Sequence, residues 1–169
     1  TDLTAGLNDG QEVEIITANS DEGRHVLRHS TAHVLAQAVT RLFPGAKFSV
    51  GPAIEHGFYY DFDLPGGKTF SDDDLSDIQK EMERIVKEDQ PFIRSEMSPD
   101  EALELFADQP YKCEIIQRVT SADGDALDAG EVGLGDVISA YRNSDTFVDM
   151  CVGPHVPSTG KLKYFALSL

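Results

Sequence analysis

The sequence predicts an α+β fold in which a mostly antiparallel sheet packs around a central helix. Strand-like stretches come in clusters instead of alternating one for one with helices, which favours antiparallel pairing. One long segment, "RHVLRHSTAHVLAQAVTRL", repeats its apolar residues at helical spacing. Two further segments carry explicit helix-start signals. With 169 residues the chain is long enough for one core of ordinary size, with or without a small appendage.

Taken in order, "QEVEIITAN" is β-branched and alternating and predicts a strand. Ser20-Asp21-Glu22 then starts a helix, with acids in its first turn, that runs to about Phe43 before Pro44-Gly45. Leu27, Val34, Leu35, Ala38, Val39 and Leu42 fall on one face of it. "KFSVGPAIEHGFYYDFDL" predicts two strands joined through a Gly/Pro bend. Ser71 caps a second helix whose stripe is Leu75, Ile78, Met82 and Ile85. "PFIRSEM" predicts a strand, and "SPDEALELFAD" a short helix with Ser98 at the cap, Pro99 at the first position and Glu101 closing a capping box. Strands are expected again at "YKCEIIQRV", "DVISAYRN", "TFVDM" and "LKYFALSL".

Composition narrows the function classes. A formal charge of −16 argues against non-specific nucleic-acid binding, which depends on basic surface. The charge is uneven: Arg24, Arg28, Arg41 and Lys47 fall in a stretch without Asp or Glu, whereas acids crowd "SDDDLSDIQKEMERIVKEDQ" and "SADGDALDAGE". Two solvated surfaces account for that pattern, and so does one edge kept positive for an anionic ligand. The absence of an apolar run of about eighteen residues leaves no membrane-spanning segment. Two cysteines, Cys113 and Cys151, provide no disulfide framework and suit a reducing cytoplasm.

Two pentapeptides hold the reactive side chains. In "HSTAH", His29 and His33 lie one turn apart at the margin of the helix's apolar stripe, about 40° from each other around the axis. In "CVGPH", the Gly-Pro pair makes a turn that brings Cys151 and His155 to one side after the "TFVDM" strand. Two His from a helix with a Cys and a His from a turn match the ligand types and number of a zinc site. The plainer alternative is two histidines capping an apolar face and a small buried thiol. The residues alone leave both open.

The strings "RHSTAHVLAQAV", "VGPAIEHGFYYDFDL", "YKCEII" and "FVDMCVGPHVPSTG" resemble, in the same order, the N-terminal editing domain of bacterial threonyl-tRNA synthetases. The likeness runs from about Asp21 to the end, which makes 20–169 the editing domain and 1–19 the tail of the ubiquitin-like domain that precedes it in that family. It implies an excised piece without the aminoacylation domain, of the threonyl/alanyl editing-domain fold type.

The resemblance implies a chemistry as well. A site that activates threonine excludes serine poorly, since one methyl is worth only about 1–3 kcal/mol of discrimination. A second site would hydrolyse the ester of serine on the 3′-terminal adenosine of threonine tRNA. By that resemblance His29 would handle the water and Lys112 would supply positive charge near water and oxyanion. Asp149 would bind the seryl ammonium, His33, Cys151 and His155 would wall the pocket, and Tyr60 would contact the terminal nucleotide. Alanyl editing domains carry a similar histidine and cysteine set and bind zinc through it, whereas the threonyl type works without metal or other cofactor. The expected partner is seryl-charged threonine tRNA, the expected location cytoplasmic, and the full-length enzyme is expected to be a homodimer.

Overall fold

The computed structural model describes residues 3, 5–120 and 137–168. The acidic "SADGDALDAGE" stretch lies outside the described residues. The order of elements is α1 (Asp21–Leu42), β1 (Lys47–Phe48), β2 (Ala53–Ile54), β3 (Gly57–Phe58), β4 (Phe62–Asp63), α2 (Asp72–Glu88), β5 (Ile93–Met97), α3 (Pro99–Leu105), α4 (Pro110–Thr120), β6 (Ile138–Ser144), β7 (Phe147–Met150) and a 3₁₀ turn at Thr159–Lys161. The fold is α+β, as the sequence predicts, and every described strand pair is antiparallel.

α1 is the axis of the molecule. Ser20 caps it by accepting the Gly23 N–H at 3.0 Å. Gly23 is a place where only glycine fits, because a Cβ there would sit 1.8 Å from the Thr17 carbonyl oxygen. From Ser30 to Val39 every residue is buried, so the helix is enclosed on all sides and not just along one stripe. Val34, Leu35, Ala38 and Val39 lie in the core as expected, Leu27 is half-buried, and Leu42 is exposed.

α2 packs along α1 as an ordinary amphipathic helix. Ser71 and Asp74 close a capping box, and Ile78, Met82 and Ile85 are buried, with Leu75 only partly so. Arg41 of α1 ties the two together through Glu81 and Glu88, both at 3.0 Å. The predicted cap, Pro99 and capping box of α3 are all present.

On the sheet side, β5, β6 and β7 form a three-stranded antiparallel sheet, and β1–β4 and β2–β3 are two short pairs. Two apolar clusters result. One joins α1 and α2 with Phe48, Tyr60 and Phe147; the other packs α3 and α4 on Ile138, Ala140 and Met150.

Four strand expectations change. "YKCEIIQRV" is helical, part of α4: Pro110 takes the first helical position, and Lys112, Ile115 and Ile116 are buried at helical spacing. Its β-branched composition suits a strand, but the side chains meet one apolar face every third or fourth residue. "QEVEIITAN" forms no strand: Val13 and Ile15 are exposed and no neighbouring strand takes the backbone hydrogen bonds. "LKYFALSL" lies against α2, where the Leu167 N–H meets Gln79 Oε1 at 3.2 Å, and so joins no ladder. The two strands expected over 47–64 are broken into four of two residues each, because the Gly51-Pro52 bend interrupts the ladder.

Candidate active site

The two pentapeptides meet. β7 ends at Met150, and Cys151 is then held on β6 by two bonds to Ser139: its N–H donates to the Ser139 carbonyl at 3.0 Å and its carbonyl accepts the Ser139 hydroxyl at 2.7 Å. Gly153 turns the chain with φ +76, and a Cβ there would lie 2.1 Å from the Tyr141 hydroxyl. The turn delivers His155 between Phe92, stacked at 4.6 Å, and the edge of Tyr141 at 4.4 Å. From α1, His29 Nε2 lies 2.8 Å from Cys151 Sγ. On the other side of the sulfur, His155 Nε2 lies at 3.4 Å and the Gly153 N–H donates at 3.0 Å. Ser30 Oγ is 3.0 Å from His155 Nδ1 and accepts the Val156 N–H at 3.1 Å.

Next to this cluster lies a charged group. Lys112 Nζ meets Asp149 Oδ1 at 2.6 Å, and the Tyr60 hydroxyl donates to Asp149 Oδ2 at 2.5 Å. Lys112 also donates to the Tyr60 oxygen at 3.1 Å, and the Met150 N–H donates to Asp149 at 2.7 Å. Lys112 is 2% exposed and Asp149 1%. Two charges so far from water are tolerable only when paired and hydrogen-bonded: Asp149 accepts from Lys112, Tyr60 and Met150, and Lys112 donates to Asp149 and Tyr60. Gly51 makes the arrangement possible: a Cβ on it would fall 2.0 Å from the Tyr60 ring.

The imidazoles are neutral at pH 7. Burial lowers His29 to about 4; Asp149 opposes that shift, and His25 and Lys112 add to it. His33 and His155 are pushed well below the ordinary range, first by burial and then by neighbouring histidines. His33 Nδ1 is buried without a hydrogen bond, 3.6 Å from Asp149 Oδ2. His29 is half-buried, the most accessible of the three.

All seven residues singled out in the sequence converge: His29, His33, Tyr60, Lys112, Asp149 and Cys151 line one cavity of about 30 Å³, with His155 behind the cysteine. His29 and Cys151 also border a second cavity of about 190 Å³, lined further by His25, Pro52, Ala53, Val152, Gly153 and Pro154. Tyr60 turns its hydroxyl inward onto the ion pair. Ser30 and Gly51 escape sequence reasoning. Ser30 is concealed as a spacer within "HSTAH", and Gly51 has no functional group to draw attention.

The donor set also has the makings of a metal site. One nitrogen from each of His29, His33 and His155 and the Cys151 sulfur lie within 4.8 Å of one another, and these are zinc-type ligands in tetrahedral number.

The family described as "Threonyl and Alanyl tRNA synthetase second additional domain" matches residues 138–168, which include β6, β7 and the Cys151–His155 turn. The chain thus carries an editing-type domain of the threonyl and alanyl tRNA synthetase class. Within that class it is similar to proteins named threonine–tRNA ligase. The protein of that name from Desulforamulus reducens is 49% identical over 168 residues, 98% of this chain and 24% of that protein. Those from Oleidesulfovibrio alaskensis and Clostridium tetani are 47% and 44% identical, again over 98% of this chain and 24% of each relative. The chain spans about a quarter of the length of these relatives.

Proposed function

We propose that this chain hydrolyses the ester between serine and the terminal adenosine of threonine tRNA. The observation that carries the reading is the meeting of a neutral, half-buried imidazole with a buried Lys112–Asp149 pair around one small cavity. About 30 Å³ is room for water and little else until a substrate enters. A seryl ammonium has the charge that Asp149 already accepts from Lys112, so it competes for that carboxylate and releases the lysine toward the ester. Neutral His29 takes a proton from the attacking water and Lys112 stabilises the oxyanion; as the oxyanion collapses the ester C–O bond breaks, and the proton held by His29 passes to the ribose oxygen that leaves. Tyr60, bonded to both charges, keeps them in register and is better placed for that than for stacking a base.

The wider cavity beyond His29 and Cys151 suits the sugar end of the substrate. Arg28 lies at that side, its guanidinium on the Ile54 carbonyl next to Ala53. One such cation near the mouth serves a terminal nucleotide even on a chain with a charge of −16. In this reading 20–169 is the editing unit and 1–19 a domain tail, which accords with the exposed Val13 and Ile15.

The test is single-turnover deacylation of seryl- and threonyl-charged threonine tRNA by this chain. Rapid seryl release with slow threonyl release is expected. Equal rates would remove the size filter, and no release of either would remove the hydrolase.

A second reading is favoured by the convergent donor set: a zinc-dependent hydrolase on the same residues. Zinc held by His29, His33, Cys151 and His155 would supply a Lewis acid at the water. Equilibrium dialysis against Zn²⁺, with deacylation measured with and without chelator, separates the two readings.

A further inference from the structure

Ser30 has no assigned part in the chemistry, yet its hydroxyl is hydrogen-bonded to His155, a ring that His29 and His33 meet by stacking and edge contact. It is completely buried. Its oxygen already accepts the Val156 N–H, so its own proton needs an acceptor. Thr31, the next residue, places its proton on the Leu27 carbonyl one turn back, at 2.7 Å. Ser30 makes no such bond: among the described residues, the only acceptor in reach of its hydroxyl is His155 Nδ1, at 3.0 Å. The opposite assignment, with His155 Nδ1–H donating to the serine, would strand the hydroxyl proton in the core, where an unmade hydrogen bond is costly.

We propose that Ser30 is a positioning residue that fixes the tautomer of His155. Ser30 Oγ–H donates to Nδ1, which places the ring proton on Nε2, and Nε2–H points at Cys151 Sγ. The sulfur then accepts from His155 and from the Gly153 amide, and its third neighbour is His29 Nε2. A serine hydroxyl thereby orients, through His155 and Cys151, the imidazole that meets the water. The consequence for rate rests on the hydrolase reading above; the tautomer does not.

Two measurements on the ¹⁵N-labelled chain test this. Long-range ¹H–¹⁵N correlation at pH 7 reads each imidazole's tautomer, with His155 assigned by the loss of its signals in His155→Asn. The expected wild-type result is Nε2-protonated His155. In Ser30→Ala the same ring should move to the Nδ1-protonated form or a mixture. Seryl deacylation should drop about tenfold or more, the range typical of losing an outer-shell orienting group. Binding of a non-hydrolysable seryl-adenosine analogue should stay unchanged. An Nδ1-protonated wild-type ring overturns the proposal without any variant, and so does an unaltered tautomer in Ser30→Ala. A changed tautomer with an unchanged rate overturns the positioning role. Failure of the wild-type chain to deacylate counts against the hydrolase reading alone, because the tautomer is read without turnover.

Discussion

α1 and α2 lie side by side and are built on opposite rules. α2 has an apolar stripe inward, a capped start and, apart from Glu81 buried between Arg41 and Arg84 at the seam, charge outward, so packing accounts for nearly all of its sequence. α1 is enclosed from Ser30 to Val39, yet Ser30, Thr31, His33 and Gln37 are among the enclosed residues. Buried polar groups persist where partners satisfy them. Gln37 Nε2 donates to Gln90 at 3.0 Å and to Ser144 at 3.1 Å, and Asn143 donates to the Gln37 oxygen. Ser30 and Thr31 are likewise bonded, while His33 Nδ1 is left without a partner. The contrast teaches a division of labour: one helix gives rigidity, and the other spends part of its interior on polar chemistry.

If that division holds, substitutions in the site should lower activity whether or not they lower stability, and substitutions on α2 should lower stability alone. Lys112→Ala is expected to have the largest effect on both. Seryl deacylation should fall by about 10²–10⁴, and chemical denaturation should show a loss of roughly 3–5 kcal/mol from the unpaired Asp149. A Lys112→Met, Asp149→Leu double variant should regain most of that stability while staying inactive; regained activity would refute the role of the pair. Met82→Ala on α2 should cost about 2–5 kcal/mol through an unfilled cavity and leave the rate per folded molecule unchanged. Gln37→Leu, which takes one acceptor from Asn143 and leaves it Gln90 at 3.3 Å, should cost about 0.5–1.5 kcal/mol in the same measurement.

Acid should act on the α1 side. His29, His33 and His155 all have folded-state values below the ordinary 6.5, so the folded form disfavours their protonation. Their contribution is fully present above 6.5 and is lost as pH falls toward the folded value, which for His29 is about 4. Thermal melts from pH 7 down to 4 should therefore show a steady loss that His29→Asn reduces. The smallest effect is expected at the seam. Arg41→Ala removes one partner of Glu81, but Arg84 remains at 3.1 Å, so about 1 kcal/mol or less should be lost.

Sequence alone reached α2 almost residue by residue, because its rules are local: caps, spacing and a single apolar face. It reached the seven site residues through two pentapeptides and a family likeness. It missed α4, where Ile115, Ile116 and Val119 have strand propensity and only tertiary contact selects the helix. It also read α1 as half-exposed, since periodicity registers the apolar residues of a face and is blind to a bonded glutamine or serine opposite them. The meeting of Lys112 with Asp149 joins α4 to β7 and could not come from spacing, nor could the seat of Tyr60 on Gly51.

That seat carries a genetic consequence. The proofreading chemistry proposed here would depend on a residue with no side chain, since even one added carbon would occupy the place of the Tyr60 ring. Gly51→Ala would alter neither charge nor any reacting group, and a survey of reactive residues would pass over it. Under the proposed function, a cell carrying that change would keep every reacting group and still place serine at threonine codons more often.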